Sequence, residues 1–148
     1  LLVIASAGAA LFSSYIWGRL ADRSSRKVLI FSAIAATLAL VATLVLNALG
    51  LLEAVWALPA MIFALMLAYQ GVRLGRSTHL VDMATRDTRA AYTALSNTII
   101  GILLALGGVF SLLAEFTGVA IVIAVLAVMS GLAVFAALGL DEVQAETD

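Results

Sequence analysis

The chain has 148 residues, of which 64% are hydrophobic and 11% charged, and its formal net charge at pH 7 is -1. Soluble domains carry about 45–50% apolar and about 25% charged residues, so this composition excludes an ordinary water-soluble fold and indicates that the lipid bilayer is the solvent. Cysteine is absent, which excludes disulfides, a thiol nucleophile and a thiolate metal site.

Five apolar segments approach the ~20 residues that a membrane-spanning helix needs. We therefore predict an all-α integral membrane protein in which residues 1–140 form a five-helix segment and residues 141–148 an acidic tail. The chain opens Leu-Leu-Val-Ile without a basic n-region, which we interpret as a fragment that starts partway into a membrane helix. The predicted helices A to E cover roughly 1–18, 27–48, 54–73, 89–113 and 119–140.

The connections between these helices alternate in charge. The short turns at 47–53 and 114–118 carry one acid each, and Gly50 and Gly118 are expected to end helices there. All eight Lys and Arg residues fall in or beside the other two connections, which are predicted to be cytoplasmic loops at 19–27 and 74–88. An odd number of crossings then predicts that the C-terminal tail is cytoplasmic too.

Small residues recur at helical spacing in helices B and D. Ser32, Ala36 and Ala39 form such a stripe in helix B, and Asn97 and Gly101 begin one in helix D. Such stripes allow close helix–helix approach in lipid. Tight packing within one bundle and a pore-lining role are both compatible with them.

Residues 18–27, which we call the A–B loop, must turn the chain in water and start a helix. Asp22, Ser24 or Ser25 can cap the first amides of helix B, and a carboxylate suits the positive end of a helix. Read from its chemistry alone, the loop is a basic connection with a cap.

The order of residues in the A–B loop resembles the signature loop of the major facilitator superfamily. That motif runs Gly, any, Leu, small, Asp, Arg, any, Gly, Arg, and Lys or Arg. Ser25 stands where the family usually has glycine. The residues that match in place are Gly18, Leu20, Ala21, Asp22, Arg23, Arg26 and Lys27.

A second resemblance to bacterial members of this superfamily covers residues 69–108. It rests on the runs 71–76, 79–84 and 96–98, on Arg89 and Tyr92, and on the glycine pair at 107–108. Together the two resemblances imply a secondary transporter in which helices A to E are helices eight to twelve of twelve. The partners they imply are the missing N-terminal half, the bilayer and an unknown small-molecule substrate. The location they imply is a bacterial cytoplasmic membrane.

In that superfamily the motif forms a cytoplasmic gate between the two halves of the transporter. The resemblance implies that Asp22 is the acid of this latch and that Arg23, Arg26 and Lys27 are its basic partners. Because the other half is missing, the resemblance also implies that the contacts of this latch lie largely outside the chain.

A second group of charges surrounds the connection between helices C and D. Two interpretations are open: anchoring at the level of the lipid headgroups, or a second part of the latch. The members of the group are Arg73, Arg76, Asp82, Arg86 and Arg89.

A third group consists of polar or small residues in or beside helices C and D. They are candidates for a cavity wall or for helix–helix contacts, and for Asn97 an interhelical hydrogen bond is as good an explanation as a substrate contact. The group contains Tyr69, Gln70, Tyr92, Ser96, Asn97 and Gly101.

His79 is predicted to lie in the loop at 74–88, and Trp17 and Trp56 are expected to be interfacial anchors. No metal or cofactor site, nucleic-acid surface or enzyme activity is predicted, because the sequence has no ligand cluster, phosphate loop or nucleophile–base pattern. The predicted function is solute transport. The alternative is a non-transporting membrane protein, such as a sensor or an assembly subunit.

Overall fold

The computed structural model describes residues 2–142, and over that range it contains helices and no strands. Only Gly107 separates α4 from α5, so the described chain has five long helical rods, and the predicted all-α class is confirmed. Residues 143–148 of the predicted tail lie outside the described range. The helices are α1 (Leu2–Ala21), α2 (Ser25–Ala48), α3 (Ala57–Met83), α4 (Arg89–Leu106), α5 (Gly108–Thr117) and α6 (Val119–Leu138).

Four of the rods are long and apolar enough to cross a membrane by length and composition: α2, α3, α6 and the continuous segment Arg89–Thr117. The remaining rod, α1, has the necessary length of 20 residues. It contains three serines and Arg19. One of its polar faces lines a cleft against α3.

The largest departure from the predicted boundaries is in helix C, which was expected to end at residue 73. In the structure α3 continues to Met83, and only residues 84–88 separate it from α4. The apolar pattern ends near Arg73, but backbone hydrogen bonding continues because Arg, Leu and Met are good helix formers. The prediction of a loop over 74–88 is therefore wrong as far as residue 83.

Helix D also differs from its prediction, because it continues to Thr117 with an interruption at Gly107. The Gly107 amide donates to the Leu104 carbonyl at 3.0 Å, a three-residue spacing that tightens the helix locally. The predicted turn at 114–118 shrinks to Gly118, whose φ of +91° favours glycine. Gly50 ends α2 with a φ of +68°, so both predicted glycine stops are confirmed.

The bundle is built around α2, which packs against α3 on one side and α6 on the other, while α1 packs on α3. The seam between α2 and α3 is close because two glycines of α3 face it. A Cβ at Gly71 would lie 2.7 Å from the Ser32 Cβ, and one at Gly75 would lie 3.0 Å from the Val28 Cγ1. Ser32, the first residue of the helix B stripe, therefore packs closely against α3, which agrees with one of the two interpretations open from the sequence.

The rod formed by α4 and α5 contrasts with this bundle, because it has no buried residue. A Cβ at Gly101 would meet no neighbouring atom within 4 Å, and Asn97 is exposed. The small-residue stripe of helix D therefore makes no close packing within residues 2–142. The face it presents is open to lipid or to protein beyond these residues.

Candidate functional site

The A–B loop is short, and backbone hydrogen bonds hold its turn together. α1 continues to Ala21, and the amides of Arg23 and Ser24 both donate to the Leu20 carbonyl, at 3.1 and 3.0 Å. Ser24 has extended backbone angles, and its Oγ accepts from the Lys27 amide at 3.1 Å, so it is the N-cap of α2. Of the three candidate caps, Ser24 is the one that the structure places in this role.

Ser25, at the position where the motif has glycine, is the first residue of α2. No non-glycine residue among those described has a positive φ. The turn therefore does not require glycine here, and serine adopts ordinary helical geometry.

Three residues of the loop anchor it to the rest of the bundle. Ser24 Oγ donates to Glu142 Oε1 at 2.6 Å, and the Arg26 guanidinium donates to the Leu138 carbonyl at 2.6 Å. The second contact satisfies a carbonyl at the end of α6 and places a cation at the negative end of that helix. The loop is thus held against the C-terminal end of α6.

The third anchor is Ser25, whose Oγ lies 3.1 Å from His79 Nδ1 in a buried contact. His79 was expected in a loop, but it lies in α3 and is buried. This position follows from the four-residue spacing of Gly71, Gly75 and His79, which places all three on one face of α3. That face packs against α2. The α2 start, the α3 end and the α6 end therefore lie together at one end of the bundle.

The remaining charges of the motif face outward. Asp22, Arg23 and Lys27 are exposed, and their side chains make no hydrogen bond or ion pair within residues 2–142. Leu20 packs against a small buried cluster that contains Trp17 and Val28. The motif is therefore divided into a buried part that holds the loop and a charged part that is free to meet another surface.

Trp17 was expected at the membrane interface, but it is buried between α1 and α3. Its indole Nε1 donates to the Leu67 carbonyl at 2.8 Å. This pairing satisfies the one polar atom of a buried tryptophan and fixes the ring against α3. Trp56, before α3, is exposed, a position suited to an interfacial anchor.

The residues of the second predicted charge cluster lie on α3, on the 84–88 connection and at the start of α4. Arg73 and Arg76 lie within α3, well before its end, while Arg86 is on the 84–88 connection. Arg76 donates to Ser96 Oγ on α4 at 3.4 Å, and Arg89 donates to the Val81 carbonyl at 3.4 Å. Asp82 is exposed in the last turn of α3. The extension of α3 is the reason the arginines are separated.

Two clefts receive several of the polar residues singled out in the sequence. The larger, of about 500 Å³, lies between α1 and α3, and we call it the α1–α3 cleft. The smaller, of about 310 Å³, lies between α3 and α4 and includes Arg76, Tyr92 and Ser96. The residues lining the α1–α3 cleft are Ser13, Ser14, Trp17, Gly18, Gln70, Arg73, Leu74 and Ser77.

The third group of candidates is therefore divided. Gln70 lines the α1–α3 cleft, whereas Tyr69, its neighbour, is exposed and lines neither cleft. Asn97 and Gly101 are outside both clefts as well. Sequence reasoning missed Ser13 and Ser14; the signal available was a pair of adjacent hydroxyls in an otherwise apolar segment.

Within residues 2–142, no three His, Asp or Glu side chains are close enough together to hold a metal ion.

Replacing Ser24 with Ala is expected to lower the free energy of unfolding by about 1 kcal/mol, because the α2 cap is lost. Thermal unfolding of the purified protein in detergent measures this effect. Ser6→Ala is the control, since the Ser6 hydroxyl only bonds its own helix.

Ser24→Asp distinguishes the two contacts of this serine. It retains a capping oxygen but sets a second carboxylate against Glu142, so we expect it to be no more stable than the alanine variant. A Ser24→Asp protein as stable as the wild type would contradict a role for the Glu142 contact.

The comparisons with known proteins bear on this arrangement. The sequence profile of the Major Facilitator Superfamily matches residues 1–148, the whole chain. No curated protein and no solved structure matches it significantly. The match extends well beyond the motif at residues 18–27 and covers every helix of the fold. The chain belongs to the Major Facilitator Superfamily, whose members are membrane transporters.

Proposed function

We propose that this chain is the C-terminal part of a secondary active transporter, comprising helices eight to twelve of twelve. The whole protein moves a small solute by alternating access, in which two halves rock around a site between them. The A–B loop acts as a gate on the cytoplasmic side of a bacterial membrane. The exposed face of α4 and α5 then meets the absent N-terminal half.

One observation carries the gating part of the proposal. Asp22, Arg23 and Lys27 are exposed and unpaired within residues 2–142, on a loop that Ser24, Ser25 and Arg26 hold in place. A rigid support with free charges can form and break ion pairs with a moving partner without itself rearranging. Each exposed pair contributes only ~0–1 kcal/mol, which suits a contact that must open in every cycle.

The orientation of the bundle can be tested by cysteine labelling in sealed vesicles, since the wild-type chain has no cysteine. Cysteines at Arg23 and Asp87 should react from one side and a cysteine at Leu51 from the other, because all three positions are exposed and α2 separates the first from the last. Ser25 would be a poor labelling site because it is buried. Labelling of Arg23→Cys and Leu51→Cys from the same side would contradict the proposed topology.

Transport itself is tested by uptake of a panel of radiolabelled solutes into proteoliposomes that contain the full-length protein. Uptake of at least one solute above the level of protein-free liposomes is the expected result. A full-length protein that takes up none, and carries a soluble signalling domain, would favour a sensor instead.

A further inference from the structure

The α1–α3 cleft contains a cation that no group of the described chain neutralises. Arg73 lines the cleft, and its guanidinium makes no hydrogen bond or ion pair within residues 2–142. Its neighbour Arg76 is bonded to Ser96, and Arg89 is bonded to a carbonyl. Within residues 2–142, Arg73 therefore differs from Arg76 and Arg89 in lacking a protein partner.

Arg73 is an exposed residue of the cleft wall, and Gly18, the first residue of the A–B loop, lines the same cleft. At 1.5 Å per residue, Arg73 lies roughly 24 Å along the axis from Ala57 and roughly 15 Å from Met83. The hydrocarbon core is about 30 Å thick, so a helix that enters the core at Ala57 places Arg73 about 6 Å from the far boundary of the core, on the side of the A–B loop. An arginine near the end of a membrane segment extends its guanidinium to the water-facing interface, where a soluble anion can reach it.

The other polar residues of the cleft wall offer mainly hydrogen-bond acceptors. Ser13 and Ser14 both donate their hydroxyl hydrogens to the Ala10 carbonyl, and Ser77 donates to the Leu74 carbonyl. Each of these oxygens is left with lone pairs that accept hydrogen bonds. Gln70 has no hydrogen bond within the described residues, so its amide can both donate and accept.

Arg73, Gln70 and the serine hydroxyls together disfavour several classes of ligand. A cation would be repelled by Arg73, and no Asp or Glu among the described residues lines the cleft to attract one. An apolar solute would leave the guanidinium and the amide unpaired. A neutral polyol would satisfy the serines but not Arg73. A ligand that combines an anionic group with hydroxyl donors satisfies the whole wall.

We propose that the α1–α3 cleft binds a small hydroxylated organic anion, such as a sugar acid or a sugar phosphate. Arg73 pairs with the carboxylate or phosphate, Gln70 hydrogen-bonds beside it, and the serine oxygens accept from the ligand hydroxyls. The volume of about 500 Å³ is within the range of ~300–1,000 Å³ of small-molecule sites. The inference rests on the proposed transport function and names the substrate class of the cleft.

Calorimetry on the full-length protein, in nanodiscs of neutral phosphatidylcholine, tests the proposal with three probes: gluconate, glucose 6-phosphate and glucose. At least one of the two anions is expected to bind, and glucose is not. Arg73→Gln should raise the dissociation constant of the anion by about fivefold, because the positive charge that pairs with the anion is lost. Arg73→Lys, which retains the charge, should bind with intermediate affinity.

Arg19→Gln is the matched control, because Arg19 is an exposed cation on α1 that does not line the cleft and contacts Tyr15 instead. It should bind the anion like the wild type. Size-exclusion chromatography establishes that each variant is folded before binding is measured.

Several outcomes would overturn the proposal. Binding of neither anion would do so, as would equal binding of glucose and the anions, or wild-type binding by Arg73→Gln. Protection of Arg73 from phenylglyoxal by phosphatidylglycerol, but by neither anionic probe, would identify a lipid headgroup as the occupant instead. Binding of the anion without its uptake would support the assignment of the cleft and contradict the proposed transport function. Uptake of another solute without anion binding would support transport and contradict the assignment of the cleft.

Discussion

Replacing Asp22 with Asn in the full-length protein is expected to reduce solute uptake by up to about fivefold while leaving membrane insertion intact. The change removes the negative charge of the motif and little else, because the Asp22 side chain is exposed and makes no contact within residues 2–142. If this charge forms an exposed ion pair with the other half of the transporter, its loss removes up to about 1 kcal/mol, equivalent to roughly fivefold in rate. Initial uptake rates in proteoliposomes, normalised to the amount of protein, measure the effect.

Asp87→Asn is the matched control for this experiment. Asp87 is an exposed acid on the 84–88 connection, at some distance from the motif in sequence, and its neutralisation should leave uptake close to that of the wild type. Two results would contradict the gating proposal: normal uptake by Asp22→Asn, or equal losses in both variants. Thermal unfolding should be the same for all three proteins, since neither acid supports the fold.

Replacing Gly71 with Ala is expected to lower the free energy of unfolding by about 1–3 kcal/mol, the usual cost of overpacking a close contact. The added Cβ would lie 2.7 Å from both the Ser32 Cβ and the Trp17 Cε2. Neither atom can move easily, because the first is attached to the α2 backbone and the second belongs to a ring held by the Leu67 carbonyl. The thermal unfolding temperature of the purified protein in detergent measures the effect.

Gly131→Ala is the matched control, because it also adds a methyl group to a helix glycine that faces α2. Its Cβ would lie 3.9 Å from the Thr37 Cγ2, an ordinary van der Waals distance. We expect this variant to be as stable as the wild type, or slightly more stable through the better helix propensity of alanine. Equal stabilities of the two alanine variants would contradict the close contact at Gly71.

The family and the fold class could be predicted from local sequence, and the reasons are specific. The bilayer requires long apolar segments, so the number of helices follows from hydropathy. The motif at 18–27 is a contiguous pattern of charge and small residues, which can be recognised without knowing its contacts. Gly50 and Gly118 end helices through their own backbone freedom, and that property is also local.

The candidate site could be predicted only in part. Gln70 and Arg73 were identified in two separate groups, but the cleft that they share also contains Ser13 and Ser14, far earlier in the chain. Arg76 and Arg73 looked equivalent in the sequence, where one helical turn separates them. Only the position of Ser96 distinguishes the paired arginine from the unpaired one.

Local sequence was thus sufficient to identify a helical membrane protein, the places where its charges lie, and the transporter family to which it belongs. Which residues face each other depended on the packing of the helices: the burial of His79 against Ser25, the contact between Ser24 and Glu142, and the cleft that contains Arg73. The physical reason is that membrane helices are apolar on nearly every side, so hydropathy does not distinguish the packed face of a helix from its lipid-exposed face. Packing of small residues makes that choice, and it depends on pairs of helices rather than on any one of them.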